Sequence, residues 1–149
     1  MRRHARMEAP SVRNRSMHIL IGFLCLTNMA AAKSPFAGTW EGKINDQPGV
    51  ELRIEDAGGK ITGVVVFYFQ TRSEDGNWHV ADKFTEPLLA TRVKGRILAF
   101  EAAHSKTHGS SELGPNVDFR LELVQANEAV LRKAEDQPDA PPLKLIRRE

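Results

Sequence analysis

The stretch EAAHSKTHGSSELGPN, residues 101–116, holds two histidines, two glutamates and three serines within sixteen positions. Such side chains can ligate a metal or support acyl transfer, so their spacing decides whether either chemistry is open to them. His104 and His108 are four apart, which on a helix brings two imidazoles to one ion. On an extended strand the same pair lies about 13 Å apart, far beyond what two ~2.1 Å zinc–nitrogen bonds can bridge. Only a chain that curls after Ser105, at Gly109, lets the rings meet, with Glu112 as a third ligand. The run Gly109-Ser110-Ser111-Glu112-Leu113-Gly114 departs from the G-x-S-x-G nucleophile turn, because its second glycine comes one residue late and no strand-turn-helix follows. With no oriented acid and no oxyanion hole to accompany them, these residues read as a polar loop turned by Gly114-Pro115-Asn116. No catalytic residue, metal or cofactor is expected.

The elements around this stretch have period two nearly throughout. Val50-Glu51-Leu52-Arg53-Ile54-Glu55 and Val117-Asp118-Phe119-Arg120-Leu121-Glu122-Leu123 alternate apolar with charged residues, as strands with one wet face do. Further strands are predicted over 39–44, 60–71, 78–84, 91–93, 97–103, 129–134 and 143–148. Turn signals fall between them at intervals of about ten residues, among them Asn45 to Gly49, Ala57-Gly58-Gly59, Ser73 to Asn77 and Lys94-Gly95-Arg96. No segment carries a sustained 3.6-residue period. The prediction is an all-β fold, an antiparallel meander of about eight or nine strands forming a closed or half-open barrel.

Strand parity then sorts the side chains. Along ITGVVVFYFQ, residues 61–70, Ile61, Gly63, Val65, Phe67 and Phe69 share one face, while Val64, Val66 and Tyr68 take the other. Leu98, Phe100, Ala102 and His104 share a face of their strand, and Trp78, Val80, Asp82 and Phe84 of theirs. His79 is expected to point outward, away from His104. Glu86-Pro87 reads as a strand edge or bulge. The candidate ligand-lining residues are Phe67, Phe69, Trp78, Phe84, Phe100 and Phe119, with Tyr68 and His104 as polar groups near a mouth.

Composition places the domain in the cell. The first sixteen residues carry five arginines against one acid, followed by the apolar run MHILIGFLCLTNM and Ala30-Ala31-Ala32. A basic start, an apolar run short of the ~20 residues of a membrane span and an A-x-A end describe a signal peptide over 1–32, cleaved before Lys33. The whole chain has 21 Lys and Arg against 19 Asp and Glu; residues 33–149 keep 16 against 18, a formal charge of −2. The basic balance therefore belongs to the leader, and a nucleic-acid partner loses its electrostatic basis. Cys25, the chain's single cysteine, leaves with the leader too. A secreted or periplasmic single domain over 33–149, with no membrane span, is expected.

Gly38-Thr39-Trp40 on the first strand, with Arg147-Arg148 on the last, resembles the calycin arrangement of lipocalins. That resemblance implies an up-and-down barrel, a tryptophan plugging its closed end under a late arginine, and a cavity for a small apolar ligand. The T-D-Y-type loop motif and the helix after the barrel have no counterpart here. There is also a similarity to small exported bacterial proteins with no assigned activity. The expected function is binding of a small apolar or amphipathic ligand inside the barrel. The alternatives are a cell-envelope interaction module using Val64, Val66 and Tyr68 or a sheet edge, and an enzyme on the His104/His108 loop.

Overall fold

The computed structural model describes residues 32–105, 113–134 and 140–148. Within them nine strands follow one another: β1 (Gly38–Ile44), β2 (Gln47–Ala57), β3 (Lys60–Arg72), β4 (Trp78–Pro87), β5 (Leu89–Lys94), β6 (Ile97–Ser105), β7 (Leu113–Gln125), β8 (Glu128–Lys133) and β9 (Leu143–Arg148). They form a single antiparallel sheet in the order β4-β3-β2-β1-β9-β8-β7-β6-β5. The sheet curls into a half-barrel, as the period-two pattern predicts.

Because every neighbouring pair is antiparallel, β1 with β9 included, the directions can close only if β4 and β5 run the same way. They are two halves of one bent strand; the first half pairs with β3 and the second with β6. Pro87, which has no amide to donate, ends the first half. Leu88 then turns inward, 8 % exposed, while its amide bonds the Gly63 carbonyl at 2.9 Å. Ala90 takes a positive φ of 48°, and the β5–β6 register slips between Leu89 and Arg92. Beyond the bend, Thr91 Oγ1 donates to the Ile61 carbonyl at 2.8 Å, which ties β5 back to β3. Gly63 is required at this corner: a Cβ there would stand 2.1 Å from the Arg53 carbonyl oxygen.

The inner face is apolar. Phe36, Trp40, Leu52, Val65, Leu98, Leu121 and Leu145 are fully buried and fill the half of the barrel nearest the Gly58-Gly59 and Ala126-Asn127 turns. Residues before β1 fold across this near end. Trp40 Nε1 donates to the Phe36 carbonyl at 2.8 Å, Ser34 N donates to Asp56 Oδ2 at 2.6 Å, and the Arg147 guanidinium carbon lies 4.4 Å from the Trp40 ring centroid. Arg147 Nη2 donates to the Pro35 carbonyl. The far end carries the Asn45-Asp46 turn, residues 73–77, and the last residues of β6 and β8.

Candidate functional site

Five of the predicted lining residues meet at the far end. Cross-strand partners share a face, so Phe67 opposite Phe84, and Phe100 opposite Phe119, put all four rings inside. Their centroids form a chain: Phe100 to Phe119 at 5.4 Å, Phe119 to Phe67 at 5.7 Å, Phe67 to Phe84 at 5.1 Å and Phe84 to Phe69 at 5.0 Å. These separations are those of favourable offset and tilted ring pairs. Phe100 and Phe119 are 2 % and 6 % exposed and belong to the core, whereas Phe67, Phe69 and Phe84 are half-buried. The chain thus leads from packed interior to rings that water reaches.

Trp78 does not join it. The β3–β4 register slips between Phe69 and Gln70, leaving Asp82 opposite Phe69 and Val80 opposite Gln70, so Ala81 is the extra residue of a bulge. Parity read straight through from Phe84 therefore fails below Asp82. Trp78 pairs with Arg72 and is 40 % exposed; His79 pairs with Thr71, on the face of Phe67 and Phe69, and its Nε2 lies 3.0 Å from Thr71 Oγ1. The outward placement expected for His79 is corrected for the same reason. One extra residue exchanges the two faces.

Tyr68 lies on the outer wall, as its parity requires. Its hydroxyl donates to Glu51 Oε2 at 3.2 Å, while Arg53 Nε donates to Glu51 Oε1 at 2.5 Å. Glu51 is only 9 % exposed, and the arginine and the phenol compensate its lost hydration. Partial burial, then the neighbouring Glu51 carboxylate, push the Tyr68 hydroxyl above the ordinary phenol range. Glu41 faces Glu51 across the β1–β2 ladder, and Arg148 Nε lies 2.5 Å from Glu41 Oε1. A shallow pocket of about 200 Å³ opens there, lined by Glu41, Lys43, Pro48, Glu51, Tyr68 and Arg148. On the same wall Val66 is 3 % exposed between its register partners Glu51 and Thr85, while Val64 and Tyr68 are half-buried.

No family model, curated protein or solved structure matches the chain.

The backbone of β6 extends through His104 to Ser105, but the His104 side chain and residues 106–112 lie outside the described residues, and with them the His104–His108 geometry. Among the described residues no group of three or more His, Cys, Asp or Glu side chains is placed to hold a metal ion. No helix of the described residues is long and apolar enough to cross a membrane. Sequence reasoning left three inner-face charges out of the site. Glu86 stands opposite the fully buried Val65, Asp82 opposite Phe69, and Lys133 opposite Phe119. Asp82 was visible by parity; Glu86 and Lys133 needed the register.

Proposed function

We propose that this is an exported β-barrel domain that binds a small apolar or amphipathic molecule against the phenylalanines of its far end. The observation that carries the reading is the unbroken ring chain from Phe100 and Phe119 in the core to the half-buried Phe67, Phe69 and Phe84. A solvent-reachable row of aromatic side chains at one end of a barrel whose other end is plugged is how a small apolar solute is taken up without opening the core. The plug supports the calycin likeness as well: the arginine over Trp40 is Arg147, from the last strand. The basic, apolar, A-x-A beginning supports export to the periplasm or beyond.

The test is titration of the chain with N-phenyl-1-naphthylamine, a neutral apolar fluorophore. Saturable binding is expected, weakened at least about tenfold by Phe69→Ser with Phe84→Ser, since each lost ring removes a large apolar contact. Trp78→Ser should leave it unchanged. Absence of saturable binding, or an equal loss in the Trp78 variant, refutes the reading.

A further inference from the structure

We infer that the far-end site prefers an organic cation, a molecule with an apolar body and an ammonium or similar positive group. The inference rests on the ligand-binding reading above and adds the charge of the ligand to it. Register sends two carboxylates to the inner face beside the phenylalanines. Asp82 lies directly opposite Phe69, and Glu86 lies two residues along the strand from Phe84, opposite Val65. Directly opposed residues have Cβ atoms about 4.5–5.5 Å apart, which puts Asp82 against Phe69; Glu86 is diagonal to Phe67, about 7–8 Å away on the side toward the near end and within reach of a long side chain. Asp82 is exposed and Glu86 half-buried, which leaves both carboxylates at the boundary between water and the apolar interior.

Charge at an inner face is costly unless it is paired or wet. Neither acid forms an ion pair among the described residues: the contact that Asp82 makes is from the Lys83 amide to its Oδ1, at 2.7 Å. Among the described residues, two positive-capable groups share the face at this end. Lys133, opposite Phe119, is itself engaged, and His79 is bonded to the Thr71 hydroxyl on the far side of the bulge. The faces of aromatic rings are electron-rich and attract cations, and carboxylates at their edge add to that attraction. An anionic head would meet Asp82 and Glu86 as like charges. The outer-wall pocket at Glu41 and Glu51 differs, because there Arg148 and Arg53 already balance the acids.

The experiment displaces N-phenyl-1-naphthylamine from the chain with three competitors of one apolar body: octyltrimethylammonium, octanol and octyl sulfate, at low ionic strength and below micelle formation. Two partly exposed charges, each giving a factor of about three, predict that the ammonium competes about tenfold better than octanol, and the sulfate worse than octanol. Asp82→Asn with Glu86→Gln should narrow that gap to within about threefold while octanol competes as before, which also shows that the variant is folded. If the sulfate competes as well as the ammonium against a bound fluorophore, the cation preference is wrong and the ligand reading stands. If the fluorophore does not bind, both fall.

Discussion

Removing the Arg147 guanidinium tests how the near end is closed. Arg147→Met keeps an unbranched side chain of similar length over Trp40 and deletes three polar effects at once. The stack on the Trp40 ring, with the guanidinium carbon 4.4 Å from the centroid, is worth about 1–2 kcal/mol in a site shielded from water. The bond from Nη2 to the Pro35 carbonyl contributes about 1 kcal/mol. Against these, Arg147 Nε is buried with no hydrogen-bond partner, a cost of about 1–3 kcal/mol that methionine relieves. The terms nearly cancel, so the single substitution should shift stability by less than about 1 kcal/mol. The stacking term can still be isolated, because Trp40→Phe weakens the face that the cation sits on. Equilibrium urea unfolding of the four chains of this double-mutant cycle, followed by circular dichroism, should give a coupling of about 1 kcal/mol between the two positions. A coupling indistinguishable from zero would refute the claim that Arg147 holds the plug through the ring. It would leave the bond to the Pro35 carbonyl and packing over Gly38, whose Cβ position lies 3.7 Å from the Arg147 side chain.

Three further outcomes follow from the wall itself. Tyr68 is the chain's single tyrosine, so phenolate absorbance reports it alone; its midpoint should lie above the ordinary value of about 10 and fall back toward it in Glu51→Gln. Since the folded value is raised, the stability it contributes is complete below about pH 10 and is lost as the pH climbs through the folded value; an unshifted midpoint would contradict the Glu51 contact. Gly63→Ala should cost several kcal/mol or abolish folding, read by urea midpoint, because its Cβ would stand 2.1 Å from the Arg53 carbonyl oxygen; near-neutral behaviour would overturn the corner geometry. Asn45 and Asp46 form a two-residue hairpin turn with φ of 51° and 61°, so Asp46→Gly should raise stability by about 0.5–1 kcal/mol, and a loss would mean the turn is of another type.

Strand positions such as those of β2 and β7 were legible because these strands keep one dry face, and a dry face at period two writes itself into the sequence. Leu121, fully buried, alternates with Arg120 and Glu122, which stay wet. The inner phenylalanines followed from the same rule. It broke at Ala81, where an inserted residue exchanges the faces of β4 and carries Trp78 and His79 to sides that simple counting does not give. Local residue types do not mark this bulge; it is a property of how β4 pairs with β3. Glu86 was hidden for a related reason. Pro87 drew the segment toward an edge reading, while the register with Val65 turns the glutamate inward. The Glu51–Tyr68–Arg53 cluster joins residues of two neighbouring strands and emerges only once their register is known.

The bent strand has a kinetic consequence. In most open sheets the two unpaired edges belong to different segments, and either can peel away as a terminal strand. Here both edges are successive parts of one strand, hinged at Pro87 and Leu88, while the first and last strands are zipped to each other. Loosening along this seam is therefore a swing of one tethered ribbon about its own bend. Its return is a local search over a few residues, which lets this flank of the barrel open and reclose quickly without unlocking the ladder between β1 and β9.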